Sequence, residues 1–493
     1  MNEPRPAVSA LESDDGLPTH RDLFYGGAWH APRGGYRDTI DPSNGRSLGA
    51  CAEADASDID AAVAAADAAF ASWRAAKPLE RAAVLRAIAA KLREHADELA
   101  LLDARNGGNP IAEMGRDVQS AAAQLDYCAG LALEVRGETI PMGSGAVDMT
   151  VREPFGVVAR IVAYNHPLMF TAAKMGPPLI AGNTVIMKPP QQAPLSAYRM
   201  MELIGDLAPP GVINVVTGGA ACGAALVAHP RVPRLALIGS VPTGRAVAKG
   251  AAERLKHVTL ELGGKNACVI YPDADLDRAI AAAVAGMNFT WCGQSCGSTS
   301  RLFVHASVHD RVVAGVLAAV RRYVPGPPTD PATTMGAIIS KAQHDKVLSY
   351  IDIASGEGAT LAAGGRVPDE PRLAGGWFVE PTVFTGVTQR MRIASEEVFG
   401  PVLSVLRWED EDALWRDVNA VEYGLSCSIW TRDLSTAHRA AARAEAGFVW
   451  INHVGQHFIG VPFGGYKQSG LGREESFDEI LSYTQLKNVH IAL

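Results

Sequence analysis

Along the first third of the chain, apolar residues recur at three- and four-residue steps. Leu79, Val84, Leu85, Ile88 and Leu92 share one helical face. That face belongs to the second of the predicted helices; the first runs over 57–73 through an Ala-rich stretch, opened by Ser57 with Asp60 three residues on as a capping pair. A second helix starts near Pro78 and runs to the Asn106-Gly107-Gly108 stop, and a third covers 111–133. Ahead of them, 22–41 suits short strands, and Asp41-Pro42-Ser43-Asn44-Gly45 is a turn. From Gly156 the texture changes. Short apolar runs at 156–163, 184–187, 213–216, 234–238, 258–260 and 267–271 read as buried strands, with helices at 195–207, 222–228 and 244–253 between them. Such runs, rather than alternation, mark strands covered on both faces, hence an α/β unit with a mainly parallel sheet. A second unit of this kind spans 275–465, with helices at 279–287, 307–324 and 340–355, and 482–493 reads as one extended strand.

Length and composition fit this picture. The 493 residues suffice for several domains, and 48% hydrophobic with 20% charged residues is ordinary globular usage. A net charge of −8 provides no general attraction to nucleic acid or to an anionic membrane. Residues 1–20 have neither the basic start nor the apolar centre of a signal peptide and read as a disordered arm. No stretch reads as a membrane span, so the expected location is the cytoplasm. Seven scattered cysteines without paired spacing are expected to be reduced thiols.

A few positions could carry chemistry. Cys296 sits among small residues in Cys292-Gly293-Gln294-Ser295-Cys296-Gly297-Ser298, as an approachable nucleophile or as a thiol packed at a tight turn. Glu261 ends an apolar strand, where desolvation raises a carboxyl pKa toward that of a general base; pairing with Lys265 is the alternative. Asn165 follows a strand as an oxyanion donor or a turn residue. Gly239, Ser240 and Gly244 open a helix after a strand, a place for phosphate or a plain βα turn. Lys188 ends another strand, reaching a cofactor ribose or facing water. His453 and His457 lack further ligands at metal spacing, so no metal is expected.

Taken together, these segments resemble the aldehyde dehydrogenase superfamily from about Phe24 to Ala492. The motifs are Glu153-Pro154-Phe155-Gly156-Val157, Asn165-His166-Pro167, the run from Gly182 to Pro189, Leu260-Glu261-Leu262-Gly263-Gly264-Lys265, Gly293-Gln294-Ser295-Cys296, the run from Glu396 to Pro401, and Pro462-Phe463-Gly464-Gly465-Tyr466-Lys467, in the family's order. The resemblance implies two Rossmann-like α/β domains plus a small β oligomerisation element. An NAD(P)-binding domain would take 21–135 and 153–262, a catalytic domain 263–470, and the oligomerisation element 136–152 with 481–493, in a homodimer or homotetramer. It implies Cys296 as nucleophile, Glu261 as base, Asn165 as oxyanion donor, and Lys174 with Glu474 as a proton relay. Lys188, Gln191, Gly239, Ser240, Gly244, Leu262, Gly263, Glu397 and Phe399 would hold the cofactor.

Departures from the family pattern refine these expectations. Gln191 stands where many members carry a glutamate that binds the adenosine ribose. NADP is therefore tolerable, although no neighbouring arginine attracts its phosphate and NAD is favoured. Ile238 replaces a common threonine, and His166 a frequent phenylalanine. Ala173 and Thr290 replace large rings, leaving a widened pocket lined by Phe170, Trp291, His453, His457 and Phe458. A bulky or aromatic aldehyde follows, with a fainter likeness to carboxybenzaldehyde-type bacterial members. The alternatives are a betaine, amino-aldehyde or aliphatic semialdehyde substrate, a thiol-dependent esterase, and a catalytically silent relative. The retained Glu261 favours hydrolytic release over transfer to coenzyme A.

Overall fold

A computed structural model describes residues 16–493. Most of the expected arm thus lies outside the described residues. Its last part is packed rather than disordered: the His20 ring stacks on Trp29 at 4.8 Å, and partly buried Leu17 joins the same cluster.

Two large sheets organise the chain. The first has the strand order Ala28–His30, Leu23–Tyr25, Ile213–Val215, Thr184–Lys188, Val157–Ile161, Arg234–Ile238, His257–Glu261, Gly470–Leu471. Its five inner strands are parallel, and antiparallel strands close both edges. The second sheet runs Thr360–Ala363, Thr382–Thr385, Val402–Trp408, Arg301–His305, Ala267–Ile270, Ser426–Trp430, Phe448–Ile451, parallel except at Thr360–Ala363. Helices cover the sheets, and accordingly Arg234–Ile238 and Thr184–Lys188 are buried at every position. A third, antiparallel sheet pairs Thr484–Ala492 along its whole length with Ala146–Pro154, which also pairs with Thr139–Pro141. Gly470–Leu471 bonds to Leu260 and Glu261, so the chain returns to the first sheet after completing the second.

Two helix expectations are corrected. The first helix is Ala56–Ala75, capped by Asp55 rather than Ser57. Asp55 accepts from the N–H groups of Ser57 and Asp58, and Asp58 accepts back from the Asp55 N–H, so the acid-x-x-acid box lies ahead of the predicted frame. Ser57 Oγ instead donates to the Asp55 carboxylate at 2.6 Å. The long second helix is two, Pro78–Glu94 and Ala96–Gly107, because His95 leaves helical geometry at ψ 24 and serves as the cap of both. The change of direction carries Leu99, Leu102 and Ala104 into the core.

Strand register positions the site. Ile161 is level with Lys188, Leu237 with Ile161, and Ile238 with Glu261. The carboxyl ends of these strands, with the turns at Asn165 and Gly239, therefore share one edge, where open parallel sheets bind ligands.

Candidate active site

Cys296 lies on the connection between the helix Leu276–Ala285 and the strand Arg301–His305. It is the one cysteine not fully buried; the other six are. The loop before it is pinned. Cys292 adopts φ +54 and donates through Sγ to the Gly336 carbonyl at 3.0 Å, while Gln294 Oε1 accepts from the Ile339 N–H at 3.1 Å. A Cβ at Gly293 would come within 2.1 Å of the Gly400 carbonyl oxygen, so only glycine fits there. Asn266 Nδ2 donates to the Cys296 carbonyl at 2.7 Å and to the Ser298 carbonyl at 3.0 Å, tying the loop to the second sheet.

Glu261 is 5% exposed, and its Oε1 is buried with no hydrogen-bond partner. Burial, reinforced by Glu474 and Glu475, pushes its carboxyl well above the usual range. Cys296 is likewise pushed well up, first by burial and then by Glu261, Glu397 and Glu475, which places thiol and carboxylate in one electrostatic neighbourhood. Asn165 is buried, and its carbonyl is held by Asn109 Nδ2 at 3.0 Å.

Behind Glu261 lies a buried four-charge cluster. Arg160 contacts Glu474 at 2.8 Å and Glu479 at 3.0 Å; Lys174 contacts Glu474 at 2.9 Å and Glu479 at 3.8 Å. Burial raises the Glu474 pKa, but Lys174 and Arg160 outweigh it and hold the carboxyl below its ordinary range. The family resemblance points to Lys174 and Glu474, whereas Arg160 and Glu479 look like ordinary strand and helix residues until the fold buries all four together. Glu475 is equally unmarked in the sequence; it sits at φ +66 and accepts from His457 Nδ1 at 3.1 Å.

Along the strand-end edge, Lys188 is buried, and its ammonium has only a 3.5 Å contact to the Pro189 carbonyl. Burial lowers its pKa, opposed by Cys222 and Glu53. Gln191 Nε2 donates to Glu53 at 2.6 Å, a contact invisible in the sequence. Ser240 is exposed and caps the helix Val241–Ala252. A Cβ at Gly244 would meet the Leu262 side chain at 2.5 Å, so glycine permits close packing at the start of this helix. The Leu262 N–H donates to the Ser469 carbonyl at 2.9 Å, and the Gly263 carbonyl accepts from Ser469 Oγ at 2.7 Å. Glu397 accepts from the Gly264 N–H at 3.0 Å, and a Cβ on Gly263 would collide with its carboxylate at 2.1 Å. Phe399 is held at φ +53, edge-on to Tyr164 at 5.8 Å. A strained aromatic, a poorly paired buried ammonium and glycine-lined approaches beside exposed Ser240 suit an extended anionic nucleotide.

The predicted pocket residues divide into two groups. His166 bonds through Nδ1 to Asp117 at 2.7 Å, with Phe170 at 5.2 Å and Trp291 at 5.7 Å from its ring. Trp291 Nε1 is buried without a partner, Thr290 is partly exposed, and Ala173 is only 2% exposed within the core. His453, His457 and Phe458 are exposed. Among the described residues, no group of His, Cys, Asp or Glu is arranged to hold a metal, and no helix is long and apolar enough to cross a membrane.

Two mainly parallel sheets, with the candidate residues gathered at the strand ends of the first, define a protein of the α/β class. Residues 29–489 match the aldehyde dehydrogenase family, and the chain belongs to it as an enzyme of that type. It is 52% identical over 488 residues to the aldehyde dehydrogenase tropH of Talaromyces stipitatus, covering 97% of this chain and 95% of that one. Among solved structures, an NAD+ complex of the Bacillus cereus aldehyde dehydrogenase superposes with TM-score 0.93 at 38% identity, covering 96% of this chain and 97% of that one. A mutant of Pseudomonas syringae AldA, an indole-3-acetaldehyde dehydrogenase bound to NAD+ and IAA, gives TM-score 0.94 at 38% identity over 97% and 98% of the two chains.

Proposed function

We propose that this chain oxidises a bulky or aromatic aldehyde to its carboxylic acid with NAD+, through a thioester on Cys296. The observation that carries this reading is the one accessible cysteine together with a buried Glu261 Oε1 that has no hydrogen-bond partner and whose carboxylate raises the thiol's pKa. When bound, NAD+ supplies the two-electron oxidising chemistry. Lys188 and Gln191 would hold its adenosine ribose, Gly239, Ser240 and Gly244 its pyrophosphate, and Leu262, Gly263, Glu397 and Phe399 its nicotinamide half.

Cys296 Sγ, as thiolate, adds to the aldehyde carbon, and the alkoxide that forms is stabilised by the Asn165 carboxamide and the Cys296 backbone N–H. After oxidation the acyl group remains as a thioester on Sγ. Glu261 takes a proton from water as the water oxygen bonds to the acyl carbon; the C–S bond breaks, releasing acid and restoring the thiolate. The Lys174–Glu474 pair then carries the proton away from Glu261.

His166, Phe170 and Trp291 give the pocket its aromatic wall, and Thr290 leaves room beside it. Thr290→Phe is expected to lower kcat/KM for benzaldehyde about tenfold or more while acetaldehyde changes less than about threefold. Wild-type turnover of benzaldehydes no better than that of acetaldehyde at equal concentration would overturn the substrate class. Thr484–Ala492 pairs on one side only, and its exposed Leu486 and Ile491 favour a homodimer or homotetramer. Light scattering should give twice or four times the 52.0 kDa chain mass; a monomer at micromolar concentration would contradict this.

A further inference from the structure

Gln191 leaves the ribose position without the carboxylate many relatives have there, yet the fold returns one from elsewhere. Glu53 follows the strand Ser47–Ala52, far from Gln191 in sequence, and both of its carboxylate oxygens are engaged at this spot. Oε1 accepts from Gln191 Nε2 at 2.6 Å, and Oε2 accepts from the Gly219 N–H at 3.1 Å. Gly219 is the N-cap of the helix Ala220–Ala228. The bare N-terminus of a helix attracts phosphate, but here a donor that a phosphate would need is already taken by a protein carboxylate. The arrangement is close-fitting, since a Cβ on Gly219 would lie 2.9 Å from Gln191 Nε2. With its amide donating to Glu53, Gln191 keeps its carbonyl oxygen to accept from a ribose hydroxyl. Glu53 is partly exposed and so remains within reach of a nucleotide.

We infer that Glu53 is the residue that sets this enzyme's preference for an unphosphorylated adenosine ribose, taking over through Gln191 the charge that position 191 lacks. This rests on the adenosine ribose lying at Lys188 and Gln191. A ribose 2′-phosphate placed there meets the Glu53 carboxylate at short range and finds the Gly219 N–H occupied, and both effects oppose NADP.

Two nucleotides that differ only by that phosphate test the inference. Binding of 5′-AMP and of adenosine 2′,5′-bisphosphate to the full chain is measured by calorimetry, with reduced NAD and NADP followed by quenching of tryptophan fluorescence. Wild type should bind 5′-AMP the more tightly. Glu53→Gln should strengthen adenosine 2′,5′-bisphosphate about tenfold and change 5′-AMP less than about threefold, whereas Glu53→Asp should keep the wild-type order. Equal changes for both nucleotides in Glu53→Gln, as a merely structural role would produce, or no change in their ratio, overturn the inference. Failure of wild type to bind either nucleotide overturns the cofactor placement itself, a result distinct from an unaltered ratio.

Discussion

Glu261→Gln should yield one burst of reduced nicotinamide, close to one equivalent per active site, followed by steady turnover lower by roughly 10²–10⁴-fold. The burst survives because the steps up to the thioester use Cys296 and Asn165. Turnover fails because a carboxamide cannot take a proton from water. The buried, unpartnered Oε1 and the raised pKa are the physical basis of this expectation. That pKa also sets a direction with pH. A carboxyl whose pKa is raised needs a higher pH to become the carboxylate that accepts the proton, so thioester hydrolysis in wild type should accelerate as pH rises. Rapid-quench or stopped-flow absorbance resolves the two phases, and equal loss of burst and steady rate would remove Glu261 from the hydrolytic step.

Replacing Cys296 by alanine should abolish both phases, a loss of about 10⁴-fold or more, with nucleotide binding retained. Because burial and the carboxylates of Glu261, Glu397 and Glu475 raise its pKa, the free enzyme stores Cys296 mainly as the thiol. Alkylation by iodoacetamide should therefore be slow at neutral pH and rise with pH, and peptide mapping should find the label at Cys296 ahead of the six buried cysteines. Flat alkylation between pH 6 and 9, or preferential labelling elsewhere, would contradict the assignment. Alanine rather than serine is the cleaner variant, since a hydroxyl could retain weak acyl transfer.

Much of the fold was legible because the relevant signals are local. Continuous apolar runs marked the strands buried on both faces, and the six strands read between 156 and 271 all formed, within two residues at each end. The cap of the first helix is ambiguous in the sequence because two candidate boxes, Asp55 with Asp58 and Ser57 with Asp60, overlap there, and only the packed loop shows that Asp58 also accepts from the Arg33 N–H at 2.9 Å. The break at His95 was unreadable for a related reason: no glycine or proline marks it, and the turn arises from what the following helix must bury.

The amino-acid sequence by itself determined that Cys296, Glu261, Asn165 and Lys188 stand at strand ends or among small residues, where side chains are free to react. Neighbours along the chain suffice for that. It could not decide who surrounds them. The Arg160–Glu474–Glu479–Lys174 cluster joins residues 300 or more positions apart, and Glu53 reaches Gln191 across 138. Such groups act by Coulomb attraction and desolvation, which depend on distance and burial in space, and these exist only once the sheets have packed.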